Sequence, residues 1–145
     1  MSRTSLFAIL LSLAMLPATF GAERKVIHPK EFPQGRPFSP ALLVDGTLYI
    51  SGLVGQDLST GKAPEDFQTE VKLCLDNVGI VLREAGMSFS DVVSVQVYLT
   101  DMTLFKDMNG VYVKYFPEPR PARTTVGVTK LAGPFRMEIT VTAKK

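Results

Sequence analysis

Phe135-Arg136-Met137-Glu138-Ile139-Thr140-Val141-Thr142 alternates apolar and polar side chains along its whole length. Period two marks a strand with one covered face. Phe135, Met137, Ile139 and Val141 are therefore assigned to a core, and Arg136, Glu138, Thr140 and Thr142 to the opposite face. Just upstream, Arg120-Pro121-Ala122-Arg123-Thr124-Thr125 leads into a strand over residues 123–128, and Gly133-Pro134 falls in the connection. The two segments read as a terminal hairpin. With its loop centred near Leu131, Arg123 stands opposite Glu138, at a cross-strand Cβ separation of about 4.5–5.5 Å. A rigid guanidinium is a carboxylate clamp, and a neighbouring carboxylate can orient water or move a proton. The same pair also reads as a surface cross-strand ion pair. Two features favour a pocket or a subunit interface: the stiff Pro121-Ala122 entry, and the small hydroxyls Thr125 and Thr140 on the same parity.

Working outward, residues 92–99 form the longest strand, with Val93, Val95, Val97 and Leu99 on one face. Asp45-Gly46 between the apolar runs 38–43 and 47–51 is a hairpin signal, and Pro40 suits an edge or a bulge. Val26 and Ile27 make a short first strand. Pro64-Glu65-Asp66 opens a helix whose stripe is Phe67, Val71, Cys74, Val78, Val81 and Ala85, closed by Gly86. Thr103 is placed as the cap of a second helix, with Phe105, Met108, Tyr112 and Tyr115 on one side and Gly110 in its middle. The order strand-strand-strand-helix, then strand-helix-strand-strand, predicts an α+β layer, a mixed sheet with two helices on one face.

The chain has 145 residues, 46% of them hydrophobic, with 16 Lys+Arg against 14 Asp+Glu. That is one globular domain with a core of ordinary size. Near-balanced charge, the absence of tryptophan and the lack of a basic-aromatic stripe give no support for nucleic-acid binding. Residues 1–22 differ in kind. Arg3 is their one charge, residues 6–16 are apolar apart from Ser12, and small residues follow. This is the pattern of a secretory signal peptide, leaving 23–145 as the mature domain, exported to the periplasm or secreted, with no membrane association once the signal is removed. Cys74 is the single cysteine, so no internal disulfide forms. It lies on the helix stripe and reads as a small buried hydrophobe. One cysteine and one histidine do not make a His/Cys metal site, and His28 reads as a surface residue.

Over residues 26–143 the chain resembles the RidA family, the YjgF-like reactive-intermediate deaminases. The resemblance is carried by Gly35-Arg36-Pro37-Phe38, Tyr49-Ile50-Ser51-Gly52, Leu75-Asp76-Asn77-Val78, the segment 109–116, Arg120-Pro121-Ala122-Arg123-Thr124-Thr125 and Met137-Glu138-Ile139, in the family's order. It implies a chorismate-mutase-like α+β fold and a homotrimer. The three sheets enclose a central barrel, and ligand clefts lie between neighbouring subunits. It further implies hydrolysis of 2-imino and enamine acids to 2-keto acids and ammonia, without metal or cofactor. Carried over by position, Arg123 binds the substrate carboxylate and Glu138 holds the attacking water or moves a proton. Ser51, Asn109, Thr125 and Phe38 line the cleft. Phe38 stands where the deaminases usually carry tyrosine, and Thr125 where many carry cysteine. Two further readings accompany the resemblance. One is a trimer that holds small carboxylates without turnover; the other is an interaction protein with ribonuclease or chaperone-like activity.

Overall fold

The computed structural model describes residues 21–145. The expected signal peptide, apart from its last two residues, lies outside them. Among the described residues no helix is long and apolar enough to cross a membrane. The elements are β1 (Arg24–Ile27), β2 (Ala41–Val44), β3 (Thr47–Val54), α1 (Phe67–Glu84), β4 (Val92–Leu99), α2 (Phe105–Tyr112), β5 (Ala122–Gly127) and β6 (Met137–Lys144). They build one six-stranded sheet in the order β1-β2-β3-β6-β4-β5, and β4 with β5 is the parallel pair. This is the α+β layer expected from the pattern. Leu48, Ile50, Val95, Val97, Ile139 and Val141 point from the sheet into a core closed by Val71, Leu75, Val78, Leu82, Met108 and Tyr112 of the helices.

Local chemistry accounts for the boundaries. Asp45 and Gly46 both have positive φ, 47° and 72°, as a two-residue hairpin turn with right-handed strand twist requires. Asp66 is the N-cap of α1: its carboxylate accepts from the Thr69 amide at 2.7 Å, so Pro64 lies outside the helix rather than at its first position. Gly86, at φ 68°, closes α1 as expected. Asp101, not Thr103, heads the second helical segment. Its carboxylate accepts from the Thr103 amide at 2.8 Å and hydroxyl at 2.7 Å, and a short 3-10 turn, Met102–Leu104, leads into α2.

The terminal hairpin does not form. β6 lies between β3 and β4, and β5 occupies the outer edge beside β4. The reason is the β4-α2-β5 crossover. A helix between two strands brings the second back parallel to the first, which leaves the inner edge of β4 for β6. The connection 128–136 is anchored at both ends to the end of β4. The Val128 amide donates to the Leu99 carbonyl at 2.8 Å, and the Thr100 amide to the Arg136 carbonyl at 3.0 Å.

Arg136 also departs from the alternation. It precedes β6 and turns toward α1, where Glu70 is fully buried. The Glu70 carboxylate accepts from the Arg136 amide (2.6 Å), the Met137 amide (3.2 Å) and Arg136 Nε (2.7 Å), while Arg136 Nη2 donates to the Pro64 carbonyl at 2.9 Å. One and two turns further along α1, Cys74 Sγ donates to the Leu53 carbonyl at 3.2 Å, and Asn77 Nδ2 donates to the carbonyls of Val54 and Gln56 at 3.2 and 2.9 Å. Cys74 is buried as expected, and burial pushes its thiol pKa far up. Glu70→Ala leaves three donors without their buried acceptor. It is expected to lower the unfolding free energy by about 3 kcal/mol in urea titration.

Candidate functional site

Arg123 is the second residue of β5 and pairs with Val95 in parallel register, so its side chain shares the helix-bearing face of the sheet with that core residue. Its Cζ lies 4.4 Å from the Tyr112 ring centroid and 5.8 Å from that of Phe105, both on α2. Aromatic faces on a helix thus hold a guanidinium at a sheet edge. Thr125, two residues on, points to the same face opposite Val97, and its hydroxyl oxygen is buried with no hydrogen-bond partner among the described residues.

Glu138 pairs with Tyr98 on one side and Val54 on the other, on the face away from the helices. Its carboxylate lies over Gly52, where a Cβ would overlap it. Gly52 sits at the β3 irregularity between Ile50 and Leu53. The absent side chain there is what makes room for the carboxylate.

The expected Arg123–Glu138 pair is therefore not assembled within one chain. β4 separates the two strands, which puts them about 10 Å apart laterally. The register adds three residues, or about 10 Å, along the strand direction. The two side chains also leave opposite faces. A hairpin register cannot see this, because it assumes that β5 and β6 are neighbours.

The other predicted residues divide in the same way. Asn109 joins Arg123 in a recess of about 310 Å³, together with Tyr112, Val113, Arg120 and Pro121. Phe38 and Ser51 line a second recess of about 390 Å³ on the other face, with Ser39, Leu42 and Tyr49 among its walls. The Ser51 hydroxyl donates to the Ser39 carbonyl at 2.7 Å and its amide to the Pro40 carbonyl at 3.0 Å, so Ser51 fixes the segment that carries Phe38. Phe38 itself is 48% exposed, with the Arg36 guanidinium 5.8 Å from its ring centroid.

The electrostatics of the two halves are complementary. The ion pairs among the described residues are Lys72–Asp76, Arg120–Glu118 and Arg136–Glu70. Among the described residues Arg123 has no carboxylate partner and Glu138 no cation. Burial raises the Glu138 pKa, with no hydrogen bond among the described residues to offset it. The residues that pattern reading missed are Tyr112 and Gly52. Tyr112 reads as a member of an apolar helix stripe, yet a buried tyrosine carries a hydroxyl that needs a partner, and that was the available signal.

The profile of the family described as endoribonuclease L-PSP matches residues 29–145. The chain is 40% identical over 118 residues to a Bos taurus protein named 2-iminobutanoate/2-iminopropanoate deaminase, covering 80% of this chain and 86% of that one. It is 39% identical over 124 residues to a RutC family protein of Aquifex aeolicus, covering 84% and 99%. Among solved structures it superposes on E. coli TdcF with bound serine at a TM-score of 0.78 and 29% identity, covering 83% of this chain and 98% of that one. The chain belongs to the endoribonuclease L-PSP family, the family of the RidA proteins.

A carboxyl whose pKa is raised on folding favours the native state while it is protonated. That contribution is present below the unfolded-state pKa and is lost as pH rises through the folded one. Glu138→Gln is therefore expected to be as stable as the parent chain near pH 3.5 and more stable at pH 7. Thermal melts at the two pH values check the difference.

Proposed function

We propose that the protein hydrolyses small 2-imino acids and their enamine tautomers to 2-keto acids and ammonia, in clefts between the subunits of a homotrimer. One observation carries this reading. A guanidinium without an acid and a carboxylate without a base stand on opposite faces of one sheet, so they can meet only across a boundary between copies. A closed ring of copies brings the Arg123 half of each against the Glu138 half of the next. The helix-free face is suited to such contact. Tyr49 and Val26 are each 52% exposed on it and Val126 is 41% exposed, beside Leu42, Thr140 and Thr142. The deaminase name of the bovine relative and the serine bound to TdcF support a small amino-acid-like ligand.

Arg123 binds the substrate carboxylate through its fork of N–H donors. This sets the C=N carbon beside the Glu138 carboxylate of the neighbouring copy. Glu138 accepts a proton from water as the water oxygen bonds to that carbon and the π electrons move to nitrogen. Glu138 returns that proton to the carbinolamine nitrogen; the C–N bond then breaks, ammonia leaves with the bonding pair, and the hydroxyl gives its proton back to the Glu138 carboxylate as the C=O of the keto acid forms. A carboxyl with a raised pKa suits both directions of proton movement. An iminium carbon is already electrophilic, so positioning and electrostatics are sufficient.

The test generates 2-iminopropanoate with an amino-acid oxidase and follows semicarbazone formation. Arg123→Ala and Glu138→Gln are each expected to lose at least about a hundredfold in rate. Refolding an equal mixture of the two is expected to restore about a quarter of the parent activity, because in random trimers one boundary in four joins an intact arginine to an intact glutamate. No restoration would place both groups in one subunit and sink the shared-site reading. If the parent protein leaves imine loss unaccelerated, the deaminase reading fails.

Phe38, which has no hydroxyl to offer ligand or water, favours a second reading in which the same clefts hold small carboxylates without turnover. Calorimetric binding of 2-oxobutanoate combined with a null deaminase assay selects it. Export belongs to the proposal through residues 1–22, and N-terminal sequencing of protein recovered outside the cytoplasm checks it, with a mature chain starting at residue 22 or 23 expected.

A further inference from the structure

Tyr112 is 2% exposed, and its buried hydroxyl has no hydrogen-bond acceptor among the described residues. One face of its ring stacks on Phe116, with centroids 4.3 Å apart at 28°. The Arg123 guanidinium lies 4.4 Å from the same ring. A phenylalanine would provide the same packing and the same cation-π platform. The hydroxyl is thus an addition that burial penalises. It borders the recess formed by Asn109, Arg120 and Arg123. Burial pushes its pKa up; the Arg123 charge, a hydrogen bond from the Arg123 side chain to the phenol oxygen and the Arg120 charge oppose that push, and the net shift is upward, so the phenol keeps its proton. A protonated hydroxyl facing two cations has a hydrogen to donate and, among the described residues, no acceptor for it. What completes it is an anion held by the same guanidinium.

We propose that Tyr112 is a second ligand-binding residue of this recess: its ring aims the Arg123 guanidinium, and its hydroxyl donates a hydrogen bond to the carboxylate that Arg123 holds. This rests on the carboxylate-binding reading of the recess and is independent of turnover. It explains why the helix stripe carries a tyrosine where packing alone asks only for an aromatic ring. It also gives the recess a neutral donor beside its charged one.

The experiment uses the full assembled protein and calorimetry with 2-oxobutanoate and 2-oxobutanamide. Tyr112→Phe is expected to weaken 2-oxobutanoate binding about tenfold to a hundredfold, as loss of a hydrogen bond to a charged group does. The melting temperature is expected to be unchanged or higher, and the weak affinity for the amide unaltered. An unchanged affinity for 2-oxobutanoate in Tyr112→Phe, with Arg123→Ala still abolishing binding, overturns the role of Tyr112 and leaves the site itself intact. An equal loss for acid and amide, or a lowered melting temperature, marks the hydroxyl as structural and overturns it as well. A parent protein that does not bind 2-oxobutanoate removes both readings. One that binds it and does not hydrolyse imines removes only the deaminase reading, and the affinity comparison still decides the case of Tyr112.

Discussion

The buried Glu70 carboxylate organises the part of the fold on which the rest depends. It is the one fully buried charged side chain of α1 and it spends its lone pairs on the first residues of β6, not on its own helix. An ionised group in the interior is tolerated only when it is paired and hydrogen-bonded, and Arg136 supplies both the charge and two of the donors. The result is a pin between the first turn of α1 and the start of β6. Two residues beyond that pin is Glu138. Cys74 and Asn77 continue the same polar row along α1 and hold the carbonyls of Leu53, Val54 and Gln56, just after the irregularity that contains Gly52. One helix therefore sets both the strand that carries the carboxylate and the gap in the neighbouring strand into which it fits.

Pattern reading reached the faces of the strands and stopped at their order. Alternation assigned Phe135, Met137, Ile139 and Val141 to the core and Glu138 away from it; within β6 the structure agrees, because side-chain parity is a property of a strand by itself, while Phe135 precedes the strand and is only half-buried. Which strand lies next to which is decided by the connections. The long link 128–136 is compatible with a hairpin, and equally with a crossing to the centre of the sheet. The crossover through α2 decides between them by placing β5 parallel to β4. Arg136 misled for a related reason. At the edge of an alternating run, a buried acid on another element outweighs the period, and nothing in residues 135–142 announces Glu70.

The candidate site shows the same division. All six residues were legible from their signature segments as the lining of one cleft. The structure divides them: Arg123, Asn109 and Thr125 share the α2 side of the sheet, and Phe38, Ser51 and Glu138 share the opposite side. The hairpin register makes Arg123 and Glu138 neighbours in one chain, while the family resemblance puts the cleft between subunits. The separation of the two groups carries more information than their union would have done. A site split across the two faces of a sheet cannot be closed by any side-chain rotation, since the sheet itself stands between its halves. In the proposed site the complement comes from a second copy, and a closed cyclic arrangement satisfies every copy equally.

This arrangement also bears on why the fold retains charges that it does not neutralise. Arg120, Arg136 and Lys72 each have an acid in reach. Arg123 is instead laid on an aromatic face, which orients a guanidinium without neutralising it. Glu138 is set over a glycine, which leaves its oxygens unfilled at the cost of partial desolvation. Each arrangement is less stabilising than the ion pair that a few substitutions could supply. Sites that bind charged ligands are where such incomplete satisfaction is expected, because a group already neutralised by its own chain has nothing left to give a ligand. On the proposed function, the arginine and the glutamate that this chain leaves without an ion-pair partner are two ends of one contact, with a small anion between two copies of the protein.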